Sequence, residues 1–415
     1  LSLEEWNNTL RIAVYHNLPS GGAKRALHEM TSRLNRSHVV DIYTLSSAEH
    51  DFCDLHPHCR QHRVYPFRSL PLARSPFGRV NQLARIADLL RLRALQRWIA
   101  TDTDAQGYDV VFVHHCRIGQ SPALMQFLQT PSVYFCHEPP RQVIERQVAR
   151  PNSQASLHRK LLDAFDPLPA LYRRVLLTID QRNVQAADLV LVNSAYSRET
   201  LYRVYGIFAQ VCYLGVDTDL FRPLNLPKEQ FVLSVGQLHA FKGFDFLIRS
   251  LARLPVDQRP RLVIACNAVI AHEEHHLRKL ANDLGVSLDI QARVSDDELV
   301  QLYNRALLTV YAPVMEPFGF VPIESMACAT PVVGVREAGV RETVLNGVNG
   351  VLVDRDEQQF ADALAALMSD PVRRDRLGRQ AREETVIRWS WDATIQNAER
   401  ALLHAAQMGA PSSRT

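Results

Sequence analysis

No apolar run in the 415-residue sequence reaches the roughly eighteen residues that a membrane span requires. The opening stretch, LSLEEWNNTL, lacks the basic start and apolar core of a secretory signal. Cysteine is sparse, with seven residues scattered and no CxxC pair, the pattern of reduced thiols. These absences predict a cytoplasmic protein. Acids are almost missing from the segment Arg60–Arg97, where nine arginines face one acid, Asp88. Net charge over the chain is only +3, so the remainder is net negative. A basic patch confined to one region fits an anionic partner, either lipid headgroups or a phosphorylated acceptor, or else arginines solvating a helix face. No nucleic-acid partner is expected.

Two kinds of motif are missing as well. The Gly21-Gly22 pair belongs to neither GxGxxG nor a Walker loop, so dinucleotide and ATP binding are not indicated. His50, Cys53, His56, His58, Cys59 and His62 crowd into 49–62, without the spacing of two metal half-sites. A polar surface loop is expected there rather than a zinc site.

What is present is the composition of a globular protein, 47% hydrophobic and 22% charged, on a chain too long for one core. The opening order is strand 10–15, glycine loop, amphipathic helix, strand 39–45, which begins a doubly wound parallel sheet. A helix is expected over 79–101, with Leu83, Ile86, Ala87 and Leu90 on its apolar side. Strands at 108–113 and 131–136 end at His114-His115 and His137, at the carboxyl ends where such sheets place ligands. Residues 151–206 read as mainly helical, with a strand at 188–192 and Ser197 as a helix cap. A second alternation begins at 231–235 and includes Lys242 on a short loop after its strand, a place for a point charge on phosphate. Asp296 is expected to cap a helix, 359–401 to be helical, and 406–415 to be a disordered tail.

The most informative stretch is 312–334, APVMEPFGFVPIESMACATPVVG. It reads as loop, glycine-led helix start and buried strand. A helix from Phe320 aims its N–H groups and positive dipole end at an anion, and Gly319 allows close approach. Glu316 precedes that helix and Glu324 lies just over a turn inside it. Carboxylates on both sides of a phosphate-binding helix end suit a nucleotide-sugar, whose hydroxyls flank a diphosphate. Two solvated glutamates on an ordinary loop and helix are the plainer alternative.

EPFG…P.E.MA…PVVG resembles the signature of the retaining glycosyltransferases of family 4, which have the GT-B fold. Further pieces follow in the family's order: SGGAKRA, HEPP, NSAYSRE, LGVDTDLFRP, VGQLHAFKG and RVSDDEL. The resemblance runs from about residue 11 to about residue 401. It implies an α/β protein of GT-B architecture, two doubly wound Rossmann-like domains facing a central cleft. Residues 1–212 would form the acceptor domain, joined by a helix at 388–405, and 213–387 the nucleotide-sugar domain.

The resemblance also implies roles. Gly22 would meet the donor's distal phosphate, with Lys24 and Arg25 as supporting charges. His137 would sit over the transferred sugar; His114 and His115 are candidates for acceptor contacts only through their own place at a strand's carboxyl end, where a structural histidine is the plainer alternative. Arg293 and Val294 would line the base pocket. Glu324 would hold the ribose hydroxyls and Glu316 those of the sugar. Lys242 and the backbone of Gly319, Phe320 and Val321 would take the diphosphate. The family usually has Arg where this chain has Gln237, so diphosphate binding would lean more on Lys242 and the helix end. The reaction implied is transfer of a hexose from a UDP- or GDP-sugar to a glycan or lipid-linked acceptor, with retention and without a metal or other cofactor. The alternatives are an epimerase of the same fold and a non-catalytic nucleotide-sugar-binding protein. The basic segment points to a peripheral place at the inner face of the membrane.

Overall fold

The computed structural model describes residues 9–73, 80–138 and 166–409. Two parallel sheets organise them, each built from short runs rich in Val, Ile and Leu and covered by helices on both faces. The first sheet contains β1 (Arg11–Asn17), β2 (Val39–Leu45), β3 (Gln61–Tyr65), β4 (Val110–Cys116), β5 (Ser132–Cys136), β6 (Leu189–Val192) and β7 (Gln210–Val211). Their order is β3-β2-β1-β4-β5-β6-β7. Helices α1 (Gly22–Leu34), α2 (Asn81–Asp104), α3 (Leu168–Gln185) and α4 (Ala195–Tyr205) connect them.

The second sheet contains β8 (Glu229–Val235), β9 (Arg261–Cys266), β10 (Leu288–Ala292), β11 (Ala306–Tyr311), β12 (Val332–Val335) and β13 (Gly350–Val353). Its order is β10-β9-β8-β11-β12-β13. Its helices are α5 (Phe244–Ala252), α6 (Ala271–Asp283), α7 (Asp296–Arg305), α8 (Phe320–Ala327) and α9 (Val340–Thr343). After β13 come α10 (Glu357–Met368), α11 (Pro371–Arg388) and α12 (Trp391–Gly409). In both sheets the order reverses direction beside the first strand, between β1 and β4 and between β8 and β11. These are the points at which open α/β sheets leave a crevice for ligands.

Packing divides the chain into two compact units. One comprises Leu1–Asn193, Ser197–Cys212 and Thr394–Thr415; the other comprises Ser194–Tyr196 and Tyr213–Ala393. Each has its own core. Ala13, Tyr15, Val111, Val113 and Tyr134 belong to the first, and Val232, Leu262, Ile264, Leu308 and Val310 to the second. Burying each large aliphatic side chain contributes about 1.5–3 kcal/mol. All six residues of β11 are buried, as befits a central strand.

Several local expectations give way to tertiary packing. On α2 the buried side is Asp88, Leu89, Leu92, Gln96, Ile99, Ala100 and Thr103, whereas Leu83 and Leu90 are exposed. Polar groups fix this face because they satisfy backbone donors. Asp88 accepts from the Leu70 N–H at 3.0 Å, and Gln96 accepts from the Ala123 N–H at 2.7 Å. The cap of α7 is Ser295, in a capping box with Glu298, and Asp296 is the first helical residue. Ser197 lies inside α4 and its hydroxyl donates to Asn193 Oδ1 at 3.0 Å, so it is not the cap expected. The segment 359–401 is helical as expected, divided into three helices, the last of which starts at Trp391. The last of them continues through Gly409, so 406–409 is helical rather than a disordered tail, with Leu402 and Ala405 buried. Residues 410–415 lie outside the described residues, as do 139–165, including the two prolines of HEPP. Among the described residues, no three His, Cys, Asp or Glu side chains are placed to hold a metal ion.

Candidate functional site

In the second unit, the loops that leave β8 and β11 carry the predicted charges to the reversal point of the sheet. After β8 the chain turns at Gly236, exposes Gln237 and buries Leu238. It then forms one 3-10 turn, Ala240–Lys242, capped by His239. The aliphatic stem of Lys242 lies over Gly236, where a Cβ would stand 3.3 Å from Lys242 Cδ. Lys242 Nζ lies 3.1 and 3.0 Å from the two carboxylate oxygens of Glu316, on the loop after β11. The structure therefore brings Lys242 and Glu316 together as a half-buried ion pair.

The loop carrying Glu316 is fastened along its length. The Val314 N–H donates to the Phe241 carbonyl at 2.8 Å. Arg355 donates to the carbonyls of Ala312 at 3.1 Å and Pro313 at 2.8 Å, and it forms two 2.7 Å bonds to Glu337. The Gly339 N–H donates to the Glu316 carbonyl at 3.0 Å. Arg355 and Glu337 are parts of this site that sequence reasoning missed. No periodic pattern links Arg355 to a loop some forty residues earlier, so only the folded chain reveals them.

Gly319 precedes α8 with φ 86° and ψ 99°, and no side chain caps the helix. A Cβ there would stand 2.9 Å from the Tyr311 hydroxyl, so both backbone angle and space call for glycine. The first-turn donors are Gly319, Phe320 and Val321, because Pro322, the third helical residue, has no N–H. Glu324 is 5% exposed and accepts from the Tyr303 hydroxyl at 2.9 Å. Burial, and secondarily the Glu324 charge, raise the Tyr303 pKa well above its ordinary value, so the tyrosine stays a donor. Arg293 and Val294 lie on the loop after the edge strand β10, two strands from β8. Arg293 is exposed, with φ 58°.

The first unit presents a different set at its own reversal point. α1 begins at Gly22 without a side-chain cap. Lys24 is 1% exposed, and burial pushes its pKa down to about 8 against the pull of Cys53, Asp54 and Glu49. The Arg25 guanidinium lies 5.8 Å over the Phe52 ring. His16, near the end of β1, is fully buried; its Nδ1 accepts from the Leu18 N–H at 3.4 Å, while Nε2 has no partner among the described residues. At the ends of β4 and β5, His114 Nδ1 lies 2.9 Å from His137 Nε2, and the two rings stack with centroids 5.1 Å apart. Asn193 Nδ2 donates to the His137 carbonyl at 2.7 Å. Burial holds His16 and His137 well below the usual histidine range, lowers His115, and pushes His114 down to about 3. The four rings are neutral at pH 7. His16 was not singled out from the sequence, although its place at a strand's carboxyl end was the available signal.

Comparison with known proteins matches both units. The profile of the glycosyl transferase 4-like domain matches residues 21–216, and that of glycosyl transferases group 1 matches residues 216–384. A D-inositol 3-phosphate glycosyltransferase of Acidothermus cellulolyticus is 34% identical over 411 residues, covering 91% of this chain and 84% of that protein. A D-inositol 3-phosphate glycosyltransferase 1 of Catenulispora acidiphila is also 34% identical, but over 213 residues; that match covers 46% of this chain and about half of the relative, 51%. Among solved structures, Anabaena HepE in complex with UDP-glucose superposes with a TM-score of 0.67 at 19% identity, over 95% of this chain and all of that one, 100%.

Proposed function

The chain belongs to family 4 of the GT-B glycosyltransferases, and from that premise we propose that it moves a hexose from a nucleoside-diphosphate sugar to an acceptor hydroxyl with retention of configuration. The observation that carries this reading is the Lys242–Glu316 pair beside the uncapped start of α8. A pair of opposite charges at a sheet's reversal point is already arranged for a ligand that carries both an anion and hydroxyls. On donor binding the diphosphate takes the ammonium and the N–H groups of Gly319, Phe320 and Val321, and Glu316 turns to the sugar hydroxyls. Glu324, held by Tyr303, accepts from the ribose. Arg293 and Val294 line the base, and the Gln237 amide adds a neutral donor to the diphosphate. In the first unit, Gly22 contacts the distal phosphate and His137 a hydroxyl of the hexose.

In the chemical step the bond from the anomeric carbon to the diphosphate oxygen breaks, and a bond to the acceptor oxygen forms on the same face. The acceptor's proton passes to the leaving phosphate. Charge grows on that phosphate, where Lys242 and the fixed N–H groups are worth most. These groups do the work that a metal would otherwise do, so the reaction is read as metal-independent. No protein carboxylate is assigned as a nucleophile.

Two observations on other proteins support the substrate classes. The Anabaena neighbour was solved with UDP-glucose, which favours a UDP-hexose donor. The curated relatives are named for inositol 3-phosphate, which favours a phosphorylated acceptor. Exposed Leu83, Leu90 and Trp98 on α2, with Arg93 and Arg97 nearby in sequence, support peripheral docking on an anionic membrane surface. Incubation with sugar-labelled UDP-glucose, with and without an acceptor extract, tests the reading. Acceptor-dependent release of UDP with label in a new product supports it; a new sugar nucleotide without acceptor, or binding without turnover, contradicts it.

A further inference from the structure

The His114–His137 contact decides which face of His137 a ligand meets. Both rings are neutral, so one nitrogen of each carries a proton and the other a lone pair. Between His114 Nδ1 and His137 Nε2, 2.9 Å apart, one must donate and the other accept. Two arrangements are open. If His137 Nε2–H donates, His114 must carry its own proton on Nε2. Among the described residues that atom is buried without a partner, with the rings of Phe112 and Phe135 packed at 4.3 and 5.8 Å from the His114 ring. An orphaned buried N–H is rarer and costlier than an under-used acceptor. If His114 Nδ1–H donates instead, the atom left alone is only a lone pair. His137 then carries its proton on Nδ1.

We propose that His114 is a positioning residue that fixes His137 as the Nδ1–H tautomer, so that His137 offers a hydrogen-bond donor to the hexose. The backbone of His137 is fixed separately by Asn193, whose own amide is oriented by Ser197. Backbone position and proton placement thus have two independent supports. An Nδ1–H donor selects a hydroxyl oxygen on the sugar without adding charge there. The sugar contact rests on the function proposed above; the tautomer assignment does not.

Long-range nitrogen–proton NMR of histidine side chains reads the tautomer directly. In the full chain, His137 should be protonated on Nδ1. His114→Phe removes the partner and should return His137 to a mixture or to Nε2–H. His114→Asn keeps an amide donor where Nδ1 stood and should preserve the wild-type signal, whereas His114→Gln places its amide further out and should not. Thermal melts establish that each variant is folded. An Nε2–H signal in the parent, or an unchanged Nδ1–H signal in His114→Phe, overturns the proposal. A second readout separates it from the functional reading. The affinity gained on going from UDP to UDP-glucose should fall about tenfold, the worth of one neutral hydrogen bond, in His114→Phe and be rescued in His114→Asn. If the tautomer responds as stated but UDP-glucose binds no better than UDP in the parent, the sugar contact fails and the tautomer assignment stands.

Discussion

The two sheets reverse their strand order in the same way but put different chemistry at that point. The first unit collects neutral imidazoles: His16, His114, His115 and His137, at the ends of β1, β4 and β5. The second collects charges held in pairs: Lys242 with Glu316, and Arg355 with Glu337. Buried neutral rings suit uncharged hydroxyls, because they bring donors and acceptors without the desolvation cost of an ion. Paired ions suit a diphosphate, since the ligand's own charge can replace one partner of the pair. On the function proposed above, one topology would serve a sugar and a nucleotide by a change of side-chain class.

Removing the charge from the second unit should have the largest effect. Lys242→Ala is expected to lower kcat/KM for transfer by about 10²–10³-fold, the scale seen when a preorganised transition-state donor is lost, as steady-state assays would show. Next, Gly319→Ala forces a Cβ against the Tyr311 hydroxyl at an unfavourable backbone angle. A loss of about 1–3 kcal/mol in denaturant melts is expected, with donor affinity falling alongside. Third, the neutral histidines make the first unit the acid-sensitive half. Their folded pKa values lie below the ordinary 6.5, so the unfolded chain binds more protons as pH falls. Stability contributed by these rings is therefore full above about 6.5 and declines between there and about 3, the value for His114. Limited proteolysis from pH 7 to pH 4 should cut the first unit before the second, and simultaneous loss of both would erase the contrast.

Smaller effects follow from the fastening of the Glu316 loop. Arg355→Ala leaves the Ala312 and Pro313 carbonyls without their donor and should raise the donor KM about fivefold, with a smaller change in kcat. Smallest of all, Gln237→Arg restores a cation on an exposed loop and should tighten UDP binding about threefold, as titration calorimetry would measure.

Much of this architecture was legible because its signals are local. Apolar runs broken by loops gave the alternating strands, and the order of motifs gave the family. Glu316, Gly319 and Glu324 sit within one short stretch whose spacing already describes a helix start. What the sequence hid depends on contacts distant along the chain. On α2, Leu83 and Leu90 of the expected apolar side are exposed while Asp88 and Gln96 are buried, because those two satisfy backbone donors at Leu70 and Ala123, which no helical period encodes. Ser197 looked like a cap but supports Asn193. The His114–His137 bond joins two strands that pair across the sheet, and neither residue's neighbours announce it.

The most direct measurement compares UDP with uridine as ligands of the parent protein and of folded Lys242→Ala. If the ammonium beside α8 grips the diphosphate, the parent should bind UDP far more tightly than uridine. The variant should lose most of that difference while uridine affinity stays the same. Equal UDP affinity in parent and variant would contradict the account.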